Sequence, residues 1–238
     1  MMKAAVIYAP GGPEKFVIEQ RQIPGAAAGQ VLVKVKAFGL NRSELMTRKG
    51  LSPSVRFPRV LGIECVGEIE HDPSGEYARG QQVAALMGEM GRDYDGSYAE
   101  YTVLPKRIVF PFTSGLPWEQ LGAFPEMFQT VFGSLHLALN IVKGETLLIR
   151  GGTSSIGMLA TQIAKNFGLT VIATTRNMEK EKILKENILL KSIKPAVTNK
   201  KDGREYLTVL QEKYIDRPSI YEILSILKSL YSTLWLKC

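Results

Sequence analysis

The sequence contains only two cysteines, Cys65 and Cys238, and two histidines, His71 and His136. Two cysteines far apart in the chain exclude a framework of several disulfides and a cysteine-rich structural zinc site. No apolar run reaches the roughly 20 residues that cross a bilayer, and the apolar run at the start is too short for a signal peptide. We therefore expect a cytoplasmic protein without a membrane partner.

The chain carries a moderate excess of positive charge, with 30 Lys and Arg against 23 Asp and Glu and a net charge of +7. The cations are scattered, and no arginine-rich run or basic stripe with interleaved aromatics is present, so nucleic acid is not the expected partner. Hydrophobic residues make up 45% of the 238 residues, enough for the core of one large or two ordinary domains.

The first half of the sequence predicts mostly β-structure, because short apolar or alternating runs are separated by turns rich in Pro, Gly and Asp. One helix is predicted from Asn41 to Arg48, with Asn41 as N-cap and Glu44 completing a capping box. Short strands joined by turns are typical of a small barrel or sandwich. The predicted strands are Lys3 to Tyr8, Phe16 to Gln20, Val31 to Gly39, Cys65 to Glu70, Gln82 to Leu86 and Tyr98 to Leu104.

A different pattern begins near residue 145. The runs Thr146 to Ile149 and Thr170 to Ala173 predict two buried parallel strands. Between them, apolar residues recur at helical spacing, and charged helix-forming residues follow from Met178 to Asn187. A strand, helix, strand and helix in this order predict a parallel sheet with right-handed crossovers. The apolar face of the first helix comprises Ile156, Leu159, Ala160, Ile163, Ala164 and Phe167.

The turn before this helix has a chemical use, because a helix N-terminus with glycines attracts phosphate. A G-x-G-x-x-G pattern is met at Gly152 and Gly157, whereas its middle position is Ser154, whose hydroxyl can donate to phosphate. The same glycines fit a P-loop, but Met158 and Leu159 replace the lysine and hydroxyl that it requires. A turn that only packs the helix on the strand remains an alternative.

The end of the second strand indicates which dinucleotide is bound. Thr175, Arg176 and Lys180 offer hydroxyl and cationic groups where an NAD site usually places a carboxylate. These groups suit the 2′-phosphate of NADPH. The alternative is that Arg176 and Lys180 belong to a solvated helix start.

Several motifs in fixed order resemble the medium-chain dehydrogenase/reductase superfamily, and within it the zinc-free quinone oxidoreductase (zeta-crystallin-like) branch. They are "VLVKVKAFGLNRSEL", "FPRVLGIECVGEIE", "GQQVAAL", "GSYAEYTVLP", "FPEMFQTVFGSL" and "LLIRGGTSSIGMLATQIAKNFG". The resemblance implies an α/β fold with a β-rich N-terminal part, namely a GroES-like catalytic domain at 1–115 followed by a partial Rossmann NADPH-binding domain at 116–187. It also implies hydride transfer from NADPH to a quinone or enone, an α,β-unsaturated carbonyl.

The resemblance also assigns site residues. Asn41 and Thr130 match catalytic-region positions near the cofactor, with a plain N-cap and a helix hydroxyl bonded to its own turn as the alternatives. Zinc-dependent relatives have a histidine where this chain has Ile63, which cannot bind a metal, so no metal is expected. Glu64 is expected to hold structure. The resemblance places Ser154, Ser155 and Ile156 in the pyrophosphate loop, and Thr175 and Lys180 at the adenosine-phosphate contacts. With Gly152, Gly157 and Arg176 from the glycine pattern and the strand end, these are the expected cofactor-binding residues.

The resemblance ends after Asn187. Residues 188–238 contain one glycine, Gly203, although a Rossmann second half needs several glycine turns. They predict a strand within Ile188 to Ile193 and an amphipathic helix from Ile220 to Trp235. We expect a shifted reading frame or a truncation here, with a genuine alternative ending as the other possibility. This removes the basis for expecting the homodimer typical of the family.

The missing second half of the Rossmann domain would contribute much of the nicotinamide pocket, so weak NADPH binding and poor turnover are expected. An incomplete sheet also leaves a strand edge unpaired and apolar surface uncovered. Two further classes stay open on the sequence: a noncatalytic remnant that keeps the fold of the first domain, and an interaction or RNA-binding protein.

Overall fold

A computed structural model of the chain describes residues 1–175, 177–180, 184, 190–192 and 207–211. These residues form two compact units, which divide between Glu126 and Met127. The first unit is rich in β-structure and the second is α/β, so the predicted fold class is confirmed. The domain boundaries that we expect at 115 and 187 stay predictions.

The β-rich unit contains two sheets. Strands β1 (Met2–Ile7), β2 (Phe16–Arg21) and β4 (Arg59–Val60) form the first sheet in the order β2-β1-β4. The second sheet contains β3 (Gln30–Ala37), β5 (Glu64–His71), β6 (Gln82–Leu86), β7 (Tyr101–Pro105) and β8 (Val109–Pro111). Its strand order is β7-β3-β5-β6-β8, and all its pairings are antiparallel.

The core of this unit follows the alternation that the sequence shows. Val31 and Val33 on β3 are fully buried, whereas Lys34 and Lys36 are exposed. Burying a valine side chain contributes about 1.5–3 kcal/mol, so this alternation fixes which face of β3 turns inward. The buried cluster comprises Val31, Val33, Cys65, Ile69, Tyr77, Val83, Ala85, Met90, Leu104, Ile108 and Val109.

Short helices complete the β-rich unit. Helix α1 spans Arg42–Arg48 with Asn41 as N-cap, which confirms the helix predicted from the capping box. Helix α2 spans Trp118–Leu121, and α3 begins at Pro125 and continues to Phe132 in the second unit. Helix α2 is not predicted from the sequence, because four residues without a capping box carry too little periodicity to identify a helix. Helix α3 contains Thr130 and agrees with the helical environment that the alternative for this residue assumes.

The α/β unit contains the strand, helix and strand that the sequence predicts. Strand β9 (Thr146–Arg150) pairs in parallel with β10 (Thr170–Thr175), and α4 (Ser155–Asn166) connects them. Four of the predicted apolar residues of the helix are buried, whereas Ile156 and Phe167 are partly exposed. A π-helical segment, Gly133–Ala138, follows α3, and a short 3-10 helix, Met178–Lys180, follows β10.

The sheet of this unit departs from the parallel arrangement that we predict. Strand β12 (Leu207–Gln211) pairs antiparallel with β10, and β11 (Leu190–Ser192) pairs antiparallel with β12, giving the order β11-β12-β10-β9. Strand β11 confirms part of the strand predicted within Ile188 to Ile193. Within the described ranges, β9 forms an edge, and Leu148 at its centre is 59% exposed. The helix predicted at Ile220 to Trp235 lies outside the described residues.

Candidate functional site

The turn between β9 and α4 is built around the side chain of Ser154. Ser154 is the N-cap of α4, and its hydroxyl accepts a hydrogen bond from the Gly157 N–H at 3.1 Å. The same hydroxyl donates to the Gly151 carbonyl oxygen at 2.8 Å. A serine hydroxyl has a single proton, and here that proton is directed to the turn itself. Ser154 therefore shapes the turn, and its expected donation to a phosphate stays a prediction.

The two glycines that match the dinucleotide pattern are required by close packing. A Cβ on Gly157 would lie 2.4 Å from the Gly151 carbonyl oxygen, and a Cβ on Gly152 would lie 2.6 Å from the Ala173 Cβ. Both distances are too short for real side chains. The glycines therefore allow the first turn of α4 to lie directly against the β9 turn and strand β10.

The first turn of α4 retains backbone donors. Within the described part of the chain, the N–H groups of Ser155 and Ile156 donate to no acceptor, while those of Gly157 and Met158 bind Ser154. Free N–H groups at a helix N-terminus carry a partial positive charge and bind anions. This turn therefore has the geometry of a phosphate site.

The end of β10 presents a buried hydroxyl and exposed charges. Thr175 is buried, and its hydroxyl lies 3.3 Å from the Asn177 N–H, which donates to it. Lys180 is exposed at the end of the 3-10 helix. Glu179 is also exposed, and its N–H donates to the Asn177 side-chain oxygen at 2.9 Å. A carboxylate therefore accompanies the predicted cation here; Arg176 lies outside the described residues.

In the β-rich unit, Asn41 joins two buried carboxylates. Its side-chain nitrogen donates to Glu64 Oε1 at 2.8 Å, and its backbone N–H donates to Glu44 Oε2 at 2.7 Å. Glu44 Oε1 accepts from the Ile63 N–H at 2.8 Å, and Tyr98 donates its phenol proton to Glu44 Oε2 at 2.6 Å. The side chain at position 41 is thus held by a hydrogen-bonded network and also caps α1.

The two carboxylates of this network are removed from solvent. Glu44 is 4% exposed and Glu64 is 2% exposed. Burial raises the pKa of both carboxyl groups above the ordinary value, while the hydrogen bonds that they accept lower it in part. Burial and the bond to Glu44 also raise the pKa of Tyr98, whose ring stacks on Phe38 with centroids 4.8 Å apart.

Local sequence patterns predict this network only in part. The capping box identifies Asn41 and Glu44, and Glu64 is expected to hold structure, whereas no pattern identifies Tyr98. Tyr98 lies 54 positions from Glu44 in sequence, so no local pattern connects them. Ser97 was also missed; it is fully buried and donates its hydroxyl proton to the Glu64 carbonyl oxygen at 2.5 Å.

Thr130 lies on α3 with an exposed position, and its carbonyl oxygen accepts from the Ser134 hydroxyl at 2.7 Å. It belongs to the α/β unit, whereas Asn41 belongs to the β-rich unit. The predicted catalytic role of each residue stays a prediction.

His136 and Cys65 lie among aromatic and apolar side chains. His136 lies between Phe132 and Phe167, with ring centroids 4.2 Å and 5.1 Å away, and burial lowers its pKa. Cys65 is fully buried, and burial raises the pKa of its thiol to about 12. Among the described residues, no three His, Cys, Asp or Glu side chains are grouped to hold a metal ion, and no helix is long and apolar enough to cross a membrane.

Comparison with known proteins places residues 27–114 in the alcohol dehydrogenase GroES-like domain family. Quinone oxidoreductase of Homo sapiens is 29% identical over 191 residues, which cover 79% of this chain and 56% of that protein. Acryloyl-coenzyme A reductase of Sulfurisphaera tokodaii is 27% identical over 208 residues, covering 78% of this chain and 62% of that protein. The chain thus spans somewhat more than half the length of these relatives.

Solved structures agree with the sequence relatives. The native structure of mycobacterial Rv1454c complexed with NADPH superposes with a TM-score of 0.68 at 26% identity, covering 78% of this chain and 55% of that one. The GroES-like match, the quinone oxidoreductase relatives and the shared fold together show that the chain belongs to the medium-chain dehydrogenase/reductase superfamily and is related to its oxidoreductases.

Proposed function

We propose that this chain is an NADPH-dependent oxidoreductase that reduces a quinone or an α,β-unsaturated carbonyl without a catalytic zinc. The observation that carries the proposal is the β9–α4 turn, where close-packed glycines bring free N–H groups of Ser155 and Ile156 to a helix N-terminus. This arrangement fits a diphosphate. The relatives named quinone oxidoreductase and acryloyl-coenzyme A reductase support the substrate class.

Each part of the chain has a proposed role in holding the cofactor. The amides of Ser155 and Ile156 bind the diphosphate, and Ser154 with Gly152 and Gly157 keeps the turn in shape. Lys180, with Arg176, binds the 2′-phosphate, since cations stabilise a phosphate dianion and a carboxylate repels it. Thr175 contributes through its buried position at the end of β10, where it orders the backbone that leads to Lys180.

When bound, NADPH supplies a hydride, and the protein supplies orientation and electrostatics. Asn41 and Thr130 are the proposed residues of the reacting region. Ile63, at the position where zinc-dependent relatives have a histidine, is a buried aliphatic side chain without a ligand atom. Its chemistry supports a reaction that does not need zinc.

A noncatalytic remnant is the second candidate, and one observation favours it. Strand β12 runs antiparallel to β10, where the predicted parallel sheet needs a parallel neighbour. An altered sheet beside the phosphate turn is compatible with weak dinucleotide binding and no turnover. The third class, an RNA-binding protein, has only the net charge of +7 in its favour.

Isothermal titration of the full chain with NADPH and NADH tests the proposal. We expect NADPH to bind with an affinity well short of micromolar, and more tightly than NADH. Lys180→Glu should weaken NADPH binding about fivefold and leave NADH binding unchanged. Lys15→Glu, which makes the same charge change at an exposed site of the β-rich unit, is the control and should leave both unchanged.

Measuring NADPH oxidation distinguishes the reductase from the noncatalytic remnant. NADPH oxidation with a simple quinone supports the enzyme, and dinucleotide binding without oxidation supports the remnant. Absence of dinucleotide binding, together with salt-dependent retention on RNA, would overturn both and support the third class. Micromolar or tighter NADPH binding with efficient turnover would support the enzyme and contradict only the expectation of weak binding and poor turnover.

A further inference from the structure

The carboxylate of Glu64 lies between the starts of two helices. Its Oε1 accepts from the side-chain nitrogen of Asn41, the N-cap of α1, at 2.8 Å. Its Oε2 accepts from the backbone N–H of Glu126, in the first turn of α3, at 2.7 Å. Both bonds use a charged acceptor in a site shielded from water, which makes them stronger than neutral hydrogen bonds.

The surrounding backbone leaves room for this carboxylate. A Cβ on Gly39 would lie 2.2 Å from Glu64 Oε1, so a larger residue at position 39 would displace the oxygen that binds Asn41. The Glu64 carbonyl oxygen accepts from the Ser97 hydroxyl, which holds the backbone of the same residue. The position of Glu64 is therefore fixed at both its main chain and its side chain.

The pairing determines how the Asn41 amide is turned. An ionised carboxylate only accepts hydrogen bonds, so the Asn41 group that faces Glu64 must be the NH₂. At its other end, Asn41 forms a capping box with Glu44, in which the side-chain oxygen faces the Glu44 N–H. Both halves of the amide have assigned neighbours, and a flip would place donor against donor and acceptor against acceptor.

We propose that Glu64 is a positioning residue, which holds the amide of Asn41 in one orientation for the cofactor and substrate. This inference rests on the proposed function of Asn41 in an NADPH-dependent reductase. Glu64 itself is buried and acts through Asn41, so it is not a catalytic residue. Glu64, which the sequence predicts to hold structure, thereby gains a role at the proposed reacting region.

The ionisation state of Glu64 must then affect Asn41. Burial raises the pKa of the carboxyl, and the neighbouring Glu126 and Glu44 carboxylates raise it further. The bonds from Asn41 and the Glu126 N–H act in the opposite direction, and Tyr98 faces the group through Glu44. Protonation would convert one carboxylate oxygen into a donor. The hydrogen bond from the Asn41 side chain to Glu64 therefore weakens as the pH falls through the pKa of Glu64.

A double-mutant cycle on the full chain tests the proposal. Glu64→Gln keeps nearly the same side-chain shape. Its NH₂ group would face one of the two donors that Glu64 now accepts from, the Asn41 side-chain nitrogen or the Glu126 N–H. We expect it to lower kcat/KM for NADPH-dependent reduction about tenfold in the native background, and by less than about twofold when Asn41 is already Ala. Glu76→Gln, an exposed carboxylate paired with Lys106, is the matched control and should have no effect.

Stability measurements separate the positioning role from folding. If Glu64→Gln lowers activity equally with and without the Asn41 side chain, and lowers Tm in parallel, Glu64 serves the fold only and the proposal fails. If the unaltered chain neither binds nor oxidises NADPH, the proposed function fails instead, and the following measurement still tests the positioning.

NMR of the unaltered chain observes the contact directly. The side-chain NH₂ signals of Asn41 should shift with a single titration that matches the Glu64 carboxyl signal. The same signals should be independent of pH in Glu64→Gln. An Asn41 side-chain signal that ignores the Glu64 titration in the unaltered chain would overturn the proposal, whatever the activity.

Discussion

Tyr98 donates its phenol proton to Glu44 Oε2 at 2.6 Å and thereby connects the segment before β7 to the first turn of α1. Glu44 also accepts from the backbone N–H groups of Asn41 and Ile63. One buried carboxylate therefore serves three donors from three parts of the chain. Removing any of these donors would leave the buried Glu44 carboxylate with an acceptor oxygen that lacks a hydrogen-bond partner.

Tyr98→Phe should therefore destabilise the protein. The substitution keeps the ring that stacks on Phe38 and removes only the hydroxyl. We expect a loss of about 1–3 kcal/mol in the free energy of unfolding, measured by urea titration. Tyr8→Phe is the control, because Tyr8 also donates to a glutamate, Glu19, but at the exposed surface. Equal losses for the two variants would contradict the importance of burial.

Gly157→Ala should disrupt the β9–α4 turn, the proposed diphosphate site. The added methyl group would meet the Gly151 carbonyl oxygen at 2.4 Å, so the start of α4 must move away from the turn. We expect a stability loss of about 1–3 kcal/mol and weaker NADPH binding, measured by urea titration and calorimetry. The control is Gly115→Ala, where nothing lies within 4 Å of the added group. Unchanged binding in Gly157→Ala would remove this turn from the cofactor site.

The buried Glu44 predicts a characteristic pH dependence. Burial raises its pKa in the folded state above the value near 4.5 that applies when it is exposed. Between these two values the folded state binds more protons than the unfolded state, so stability falls as the pH rises through this window. The difference in unfolding free energy between the unaltered chain and Glu44→Gln should shrink as the pH rises from about 4.5. A difference that grows with pH would show that hydrogen bonds outweigh burial and lower the pKa.

Glu179 should oppose the proposed preference for NADPH. Its exposed carboxylate lies beside Asn177 and next to Lys180, near the proposed 2′-phosphate contacts. We expect Glu179→Gln to raise the affinity for NADPH about two- to fivefold and to leave that for NADH unchanged. The control is Glu14→Gln, an exposed site in the β-rich unit. Calorimetry at low salt measures the affinities for NADPH and NADH. An equal increase in the affinity for NADH would contradict a 2′-phosphate site here.

Much of the fold was predictable because its signals are local. The alternation of Val31, Val33 and Val35 with Leu32, Lys34 and Lys36 identified a strand. Asn41 with Glu44 identified the start of α1. The glycines at 152 and 157 located the turn before α4. Strands β4 and β8, of two and three residues, are not predicted because they are too short to show a period. They are strands because they pair with β1 and β6, respectively.

The candidate site was predictable only where its residues lie close in sequence. The glycine spacing places Gly152, Ser154 and Gly157 in one turn, whereas the donation of the Ser154 proton to Gly151 depends on the folded backbone. Hydrogen-bond direction depends on which acceptor the folded backbone brings within reach. The antiparallel pairing of β10 with β12 was likewise not predictable, since strand partners distant in sequence are selected by packing.

The sequence by itself determined the longer strands of the β-rich unit, the strands β9 and β10, and the starts of α1 and α4. Capping, alternation and glycine geometry act over a few neighbouring residues, which is why these elements are readable from the sequence. Tertiary structure alone decided that Glu64 meets both Asn41 and the Glu126 N–H, and that Tyr98 meets Glu44. These contacts join residues 23 to 62 positions apart. A buried carboxylate acquires its pKa and its partners only when folding excludes water and brings distant donors together.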